Sequence, residues 1–126
     1  MKKVLGAFEP KIYALLRMVA GFMFLCHGAQ KVLGVLGGEQ VESFVSLLGL
    51  AGIIELVGGA MILVGFHTSI AAFLSSGTMA VAYFMVHQPQ GPLPIQNRGE
   101  LAVLYAFVFL LMAARGNGIW SLGKKS

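Results

Sequence analysis

The chain has 126 residues, 57% of them hydrophobic and only 11% charged, with a formal net charge of +4 and a mean hydropathy of +0.82. A soluble domain carries about 25% charged residues over its core, so a soluble globular fold is excluded, as are a disordered chain and a nucleic-acid-binding domain. One cysteine cannot staple a disulfide scaffold, and a small integral membrane protein remains.

Lys2 and Lys3 precede an apolar stretch in the manner of a secretory signal. Met23-Phe24-Leu25-Cys26, however, puts bulky side chains where a cleavage site needs small ones, so the segment is expected to stay in place. The first apolar run covers about 12–36 and ends at Gly37-Gly38. Cys26 lies inside it and reads as a buried, inert thiol. Over about 39–47, Val41, Phe44, Val45 and Leu48 fall at i, i+3, i+4 and i+7 beside Glu39, Gln40 and Glu42, the pattern of an amphipathic helix at the membrane surface.

The second and third runs, about 47–66 and 68–87, are joined almost directly through Gly65, Phe66 and His67, which requires a tight antiparallel hairpin. Pro89, Pro92 and Pro94 break the chain before the last run, about 99–114. Each run approaches the roughly 20 residues that cross a hydrocarbon core, and none alternates as a barrel strand does. The expected fold is therefore all-α: one membrane domain over residues 1–126, an antiparallel bundle of four transmembrane helices. Lys2, Lys3, Lys11, Arg115, Lys124 and Lys125 gather on one side, against Lys31 and Arg98 on the other, so both termini are expected in the cytoplasm. Ala72, Ser76 and Ala80 form a small-residue ladder for close helix packing.

Ionisable groups at membrane depth are costly and mark candidate sites. Counting 1.5 Å per residue places His27 roughly 10–14 Å and Glu55 roughly 12 Å below the outer surface. Lys31 stands one turn above His27 with Gln30 beside it, Glu100 opens the last helix, and His87 and Arg98 flank the proline loop. All seven fall in one half of the bundle, as a proton-exchanging site or as an ion-pair network that locks the helices. Tyr83 and His87, four residues apart, are placed to share a hydrogen bond. His27 and His87 differ in depth by roughly 10 Å, too much for one haem iron, and no metal-ligand spacing occurs. Arg17 is read as snorkelling to the cytoplasmic headgroups, and His67 as a loop residue.

Arg17-x3-Gly21-x2-Phe24-x2-His27-Gly28-x-Gln30-Lys31-x2-Gly34 resembles the first-helix signature of the DoxX family. So do Glu55-x2-Gly58-Gly59-x5-Gly65, Asn97-Arg98-Gly99-Glu100 with Tyr105, and Gly116-Asn-Gly118-x-Trp120-Ser121-Leu122, where Gly123 replaces the acidic residue common in relatives. The resemblance implies a four-helix bacterial inner-membrane protein with relatives linked to quinone-coupled sulfur oxidation or membrane oxidoreductase complexes. It carries over Arg17, His27, Gln30, Lys31, Glu55 and Glu100 as motif residues, without a defined reaction. The expected function is a quinone-linked or oxidoreductase-associated membrane subunit with no intrinsic cofactor, with the bilayer and a redox enzyme subunit as partners and homo-oligomerisation open. A non-catalytic scaffold for a partner enzyme is the alternative, followed by a small-solute carrier.

Overall fold

The computed structural model describes residues Met1–Lys124; Lys125, counted above among the cytoplasmic charges, lies outside them. It is helical, with no strand among the described residues. Four principal helices are labelled α1 (Glu9–Leu33), α2 (Leu47–Val64), α3 (Thr68–Ala82) and α4 (Glu100–Arg115). Lys2–Leu5 and Gly6–Phe8 lead into α1, so helical structure starts well before Ile12, with Pro10 in the first turn of α1 where a missing N–H costs nothing. Among the described residues three helical runs are long and apolar enough to cross a membrane: Lys2–Leu33, Leu47–Val64 and Thr68–Gln90. At 16 residues, α4 spans about 24 Å.

Helix ends follow the local chemistry. Gly34 (φ 67°) stops α1 in a left-handed cap, its N–H bonded to the Gln30 carbonyl, so the helix ends at Leu33 and not at the later Gly37-Gly38 pair. Ser46 caps α2 by accepting a hydrogen bond from the Gly49 N–H at 3.1 Å, and Gly65 (φ 72°) ends it at Val64. His67, at the tight turn, takes the left-handed conformation itself and precedes α3.

The surface helix expected over 39–47 does not form. The chain doubles back at Leu36 and Gly37, both at positive φ, and the Val41 N–H donates to the Lys31 carbonyl while Gln40 Nε2 donates to that of Val32. These bonds lash residues 40 and 41 to the end of α1. Against them, a helix of one or two turns nucleates poorly whatever its apolar periodicity.

The helices pair through absent side chains. α1 and α2 run antiparallel with their backbones in contact: a Cβ added at Gly21 would meet Leu63 N at 2.5 Å and one at Gly59 would meet Leu25 N at 2.5 Å, while Gly28 lies against Leu56 in the same way. α3 and α4 are joined by hydroxyls, Ser69 to the Ala113 carbonyl and Ser76 to that of Ala106 at 2.6 Å, so the small-residue ladder of α3 serves packing on α4. Between the two pairs Phe24 packs against Tyr105 and Phe109, with ring centroids 5.4 and 4.7 Å away, above Ile62 and Met112. Phe73, Phe107 and Ile70 are exposed while Arg17, Glu55, Thr68, Ser75 and Asn97 are buried. This inverted distribution suits a lipid surround.

Candidate functional site

The buried polar groups fall into two clusters at opposite ends. At the end where α1 finishes and α2 begins, Lys31 Nζ donates to both carboxylate oxygens of Glu55, at 2.8 and 2.6 Å. Gly52, one turn from Glu55, makes room for the Lys31 stem. Glu55 is only 2% exposed, whereas the Lys31 side chain keeps 27% exposure. The pair is thus sunk from its carboxylate side and open from its ammonium side.

His27 is half-buried one turn below Lys31, its ring edge-on to Tyr105 at 6.2 Å. With Gln30, Cys26, Phe22, Met23 and Leu36 it lines a shallow groove of about 230 Å³ on the flank of α1. Cys26 is therefore not the fully buried thiol expected, because helix rotation puts it at the edge of this groove, half-buried. Gln30 spends one amide N–H on the Leu36 carbonyl at 3.0 Å.

Two hydroxyls not singled out in the polar inventory face the interior at this level. Tyr105 (5% exposed) and Ser75 (fully buried) have no protein hydrogen-bond partner. Ser75 Oγ lies against Gly58, one turn along α2 from Glu55, and Tyr105 meets the His27 ring one turn below Lys31. Their signal was positional: Ala102, Tyr105, Phe109 and Met112 form one buried stripe of α4, and Thr68, Ala72, Ser75 and Met79 one of α3.

The remaining site residues stand apart. Glu100 and Arg98 are exposed, and the two ion pairs among the described residues are Lys31–Glu55 and Glu9–Arg115, so no four-charge network forms. His87 Nδ1 lies 3.1 Å from the Asn97 carbonyl, and the Tyr83 hydroxyl accepts from Asn97 Nδ2 at 3.1 Å. The π-helical turn Tyr83–His87 breaks the α spacing, leaving the Tyr83 and His87 rings stacked at 6.4 Å rather than bonded to each other.

At the other end Arg17 does not snorkel. It is fully buried, Nε donating to the Ile62 carbonyl at 3.1 Å, Nη1 to those of Asn117 and Ile119 at 2.5 and 2.9 Å, and Nη2 to that of Trp120 at 2.8 Å. The segment after α4 folds back beneath the helices to supply these acceptors, turning at Gly116 and Gly118 with positive φ. It is held by Tyr13 (hydroxyl to the Gly116 carbonyl, 2.7 Å), by the Asn117 side chain on the Thr68 N–H, and by backbone bonds from Leu122 and Gly123 to Val64 and Gly65. Snorkelling loses because the carbonyls lie closer than the headgroups and desolvate no second charge.

Apolar spanning helices, a buried ion pair and a lipid-facing shell define a small helical membrane protein. Residues 12–88 match the DoxX family model, and the chain belongs to that family. It is similar to an uncharacterized protein of Haemophilus influenzae, 40% identical over 96% of this chain and 95% of that protein. It also resembles an uncharacterized membrane protein of Mycobacterium tuberculosis, 28% identical over 98% of this chain and 86% of the relative. No solved structure matches.

Proposed function

We propose that this protein is a four-helix inner-membrane subunit of a quinone-linked oxidoreductase, with both termini cytoplasmic and its polar site in the outer half. The observation that carries the reading is the groove on α1: Phe22, Met23 and Leu36 offer an apolar floor, and His27 and Gln30 offer ring and amide N–H groups at its edge. That combination fits the planar, carbonyl-bearing head of a quinone, whose tail would lie along the exposed apolar side chains Val19 and Phe22. At about 230 Å³ the groove takes a head group and leaves the tail in lipid. A quinone supplies two-electron, two-proton redox chemistry, with electrons from the partner subunit. His27 and Gln30 orient its oxygens, and the Glu55 carboxylate, paired with Lys31 one turn above His27, accepts and returns a proton. Antiparallel pairing with α3 carries the shorter α4 across the same bilayer, and the lysines and arginines at the terminal end set the orientation.

Titrating a short-chain quinone against wild type, His27→Ala and Glu55→Gln tests the reading. Binding about tenfold weaker in His27→Ala, roughly the loss of one hydrogen bond, is expected; unchanged affinity in both variants overturns it. A second reading, a scaffold for a partner enzyme, is favoured by the two bonds from Lys31 to Glu55, which close the pair on itself. It predicts that Glu55→Gln lowers thermal stability while the turnover of a purified complex per folded molecule is unchanged.

A further inference from the structure

Tyr105 and Ser75 present a physical problem. A buried hydroxyl without a partner forfeits its hydration for nothing, and native proteins seldom tolerate one unless water or a ligand meets it. Here two such groups occur at one level, contributed by α4 and α3 next to the Ser76–Ala106 hydrogen bond, and Ser75 faces Gly58, one turn along α2 from the buried carboxylate. Gly58 adds space at that point, since a Cβ there would come within 2.9 Å of Ser75 Oγ.

We propose that Glu55, Ser75 and Tyr105 bound a buried water site that opens toward the Lys31 end alone. A water there accepts from the Tyr105 and Ser75 hydroxyls and donates to Glu55, whose oxygens each keep a lone pair after accepting from Lys31. That gives the three or so bonds usual for buried water. Glu55 is paired with Lys31 from α1, with Cys26 and His27 lower on that helix; Ser75 from α3 lies against Gly58, one turn from Glu55, and Tyr105 from α4 stands edge-on to His27. Toward the Arg17 end the interior closes with Phe24, Ile62, Phe109 and Met112, all fully buried and none able to bond water. Beyond them stands the guanidinium, an electrostatic barrier to an entering proton. The third unpartnered hydroxyl, Thr68, lies seven residues from Ser75 along α3, about 10 Å away on the far side of this apolar layer, and belongs to no such site. Protons therefore reach Glu55 from one face of the membrane.

Thermal melting of the full chain in detergent, with no quinone added, tests the water site through a sign. Tyr105→Phe and Ser75→Ala should each lower the melting temperature, and the double variant should lose less than the two losses added, because one water serves both hydroxyls. If the hydroxyls are dry, Tyr105→Phe removes an unsatisfied group and melts no lower than wild type, which overturns the proposal. For the one-sided opening, vesicles carrying the wild-type protein should hold a pH gradient as long as protein-free vesicles. A faster decay that Tyr105→Phe abolishes would overturn it. Neither measurement depends on quinone binding, so the two proposals fail separately.

Discussion

At the Lys31 end a buried charge is met by another side chain, whereas at the Arg17 end it is met by backbone carbonyls. Lys31 and Glu55 cancel each other, and the pair touches water through the ammonium. Arg17 is sealed, and dipoles of Ile62, Asn117, Ile119 and Trp120 stand in for an anion. The first arrangement can exchange a proton or a partner; the second cannot, since guanidinium stays charged at any accessible pH. One end is thus suited to chemistry and the other to assembly.

Arg17→Met should break the contrast most severely. It strands the carbonyls of Asn117, Ile119 and Trp120, that of Ile62 keeping the Gly65 N–H, a loss of about 3–5 kcal/mol, visible as a lower melting temperature and as protease cleavage within 116–123; a variant that melts like wild type would remove the assembly role. Lys31→Met comes next, at about 2–3 kcal/mol, because the carboxylate it abandons is buried. Glu55→Gln should cost less, about 1 kcal/mol, since an amide still accepts and Lys31 reaches water. Finding those two in reverse order would mean that the carboxylate is not the buried member. Gly28→Ala sharpens the same end by wedging α1 from α2, with about 1–3 kcal/mol expected from overpacking. The smallest effect belongs to the exposed Glu9–Arg115 pair: Glu9→Gln should shift stability by about 0.5 kcal/mol or less and lose even that in high salt.

The helices were legible because lipid imposes composition and length; counting residues inward from two helix ends put Lys31 and Glu55 in one half of the bundle but matched Glu55 in depth with His27, whereas the carboxylate takes Lys31, one turn above, because the long lysine stem reaches down over Gly52. The tail cage was not. Arg17 finds three of its four partners among backbone carbonyls a hundred or more residues away, and a carbonyl carries no letter in the sequence. Residues 39–48 misled for a related reason: their apolar spacing is genuine, but the donors of Gln40 and Val41 go to the end of α1, which periodicity does not register. The unpartnered hydroxyls of Tyr105 and Ser75 were not legible either, since a hydroxyl in an apolar helix looks alike whether it bonds a neighbouring carbonyl, as Ser76 does, or nothing in the protein.

The Arg17 cage also sets an order of events during synthesis. Asn117 follows Arg17 by 100 residues, and at about 5–20 residues per second the guanidinium waits about 5–20 s for its acceptors. Until then α1 holds a cation at membrane depth met by the Ile62 carbonyl alone of its four acceptors, so the nascent protein is expected to remain a substrate for membrane quality control until its tail emerges. A chain stopped after Ala114 never leaves that state. In a pulse-chase it should be degraded well before the full-length protein; equal lifetimes would show that lipid or water satisfies Arg17 unaided.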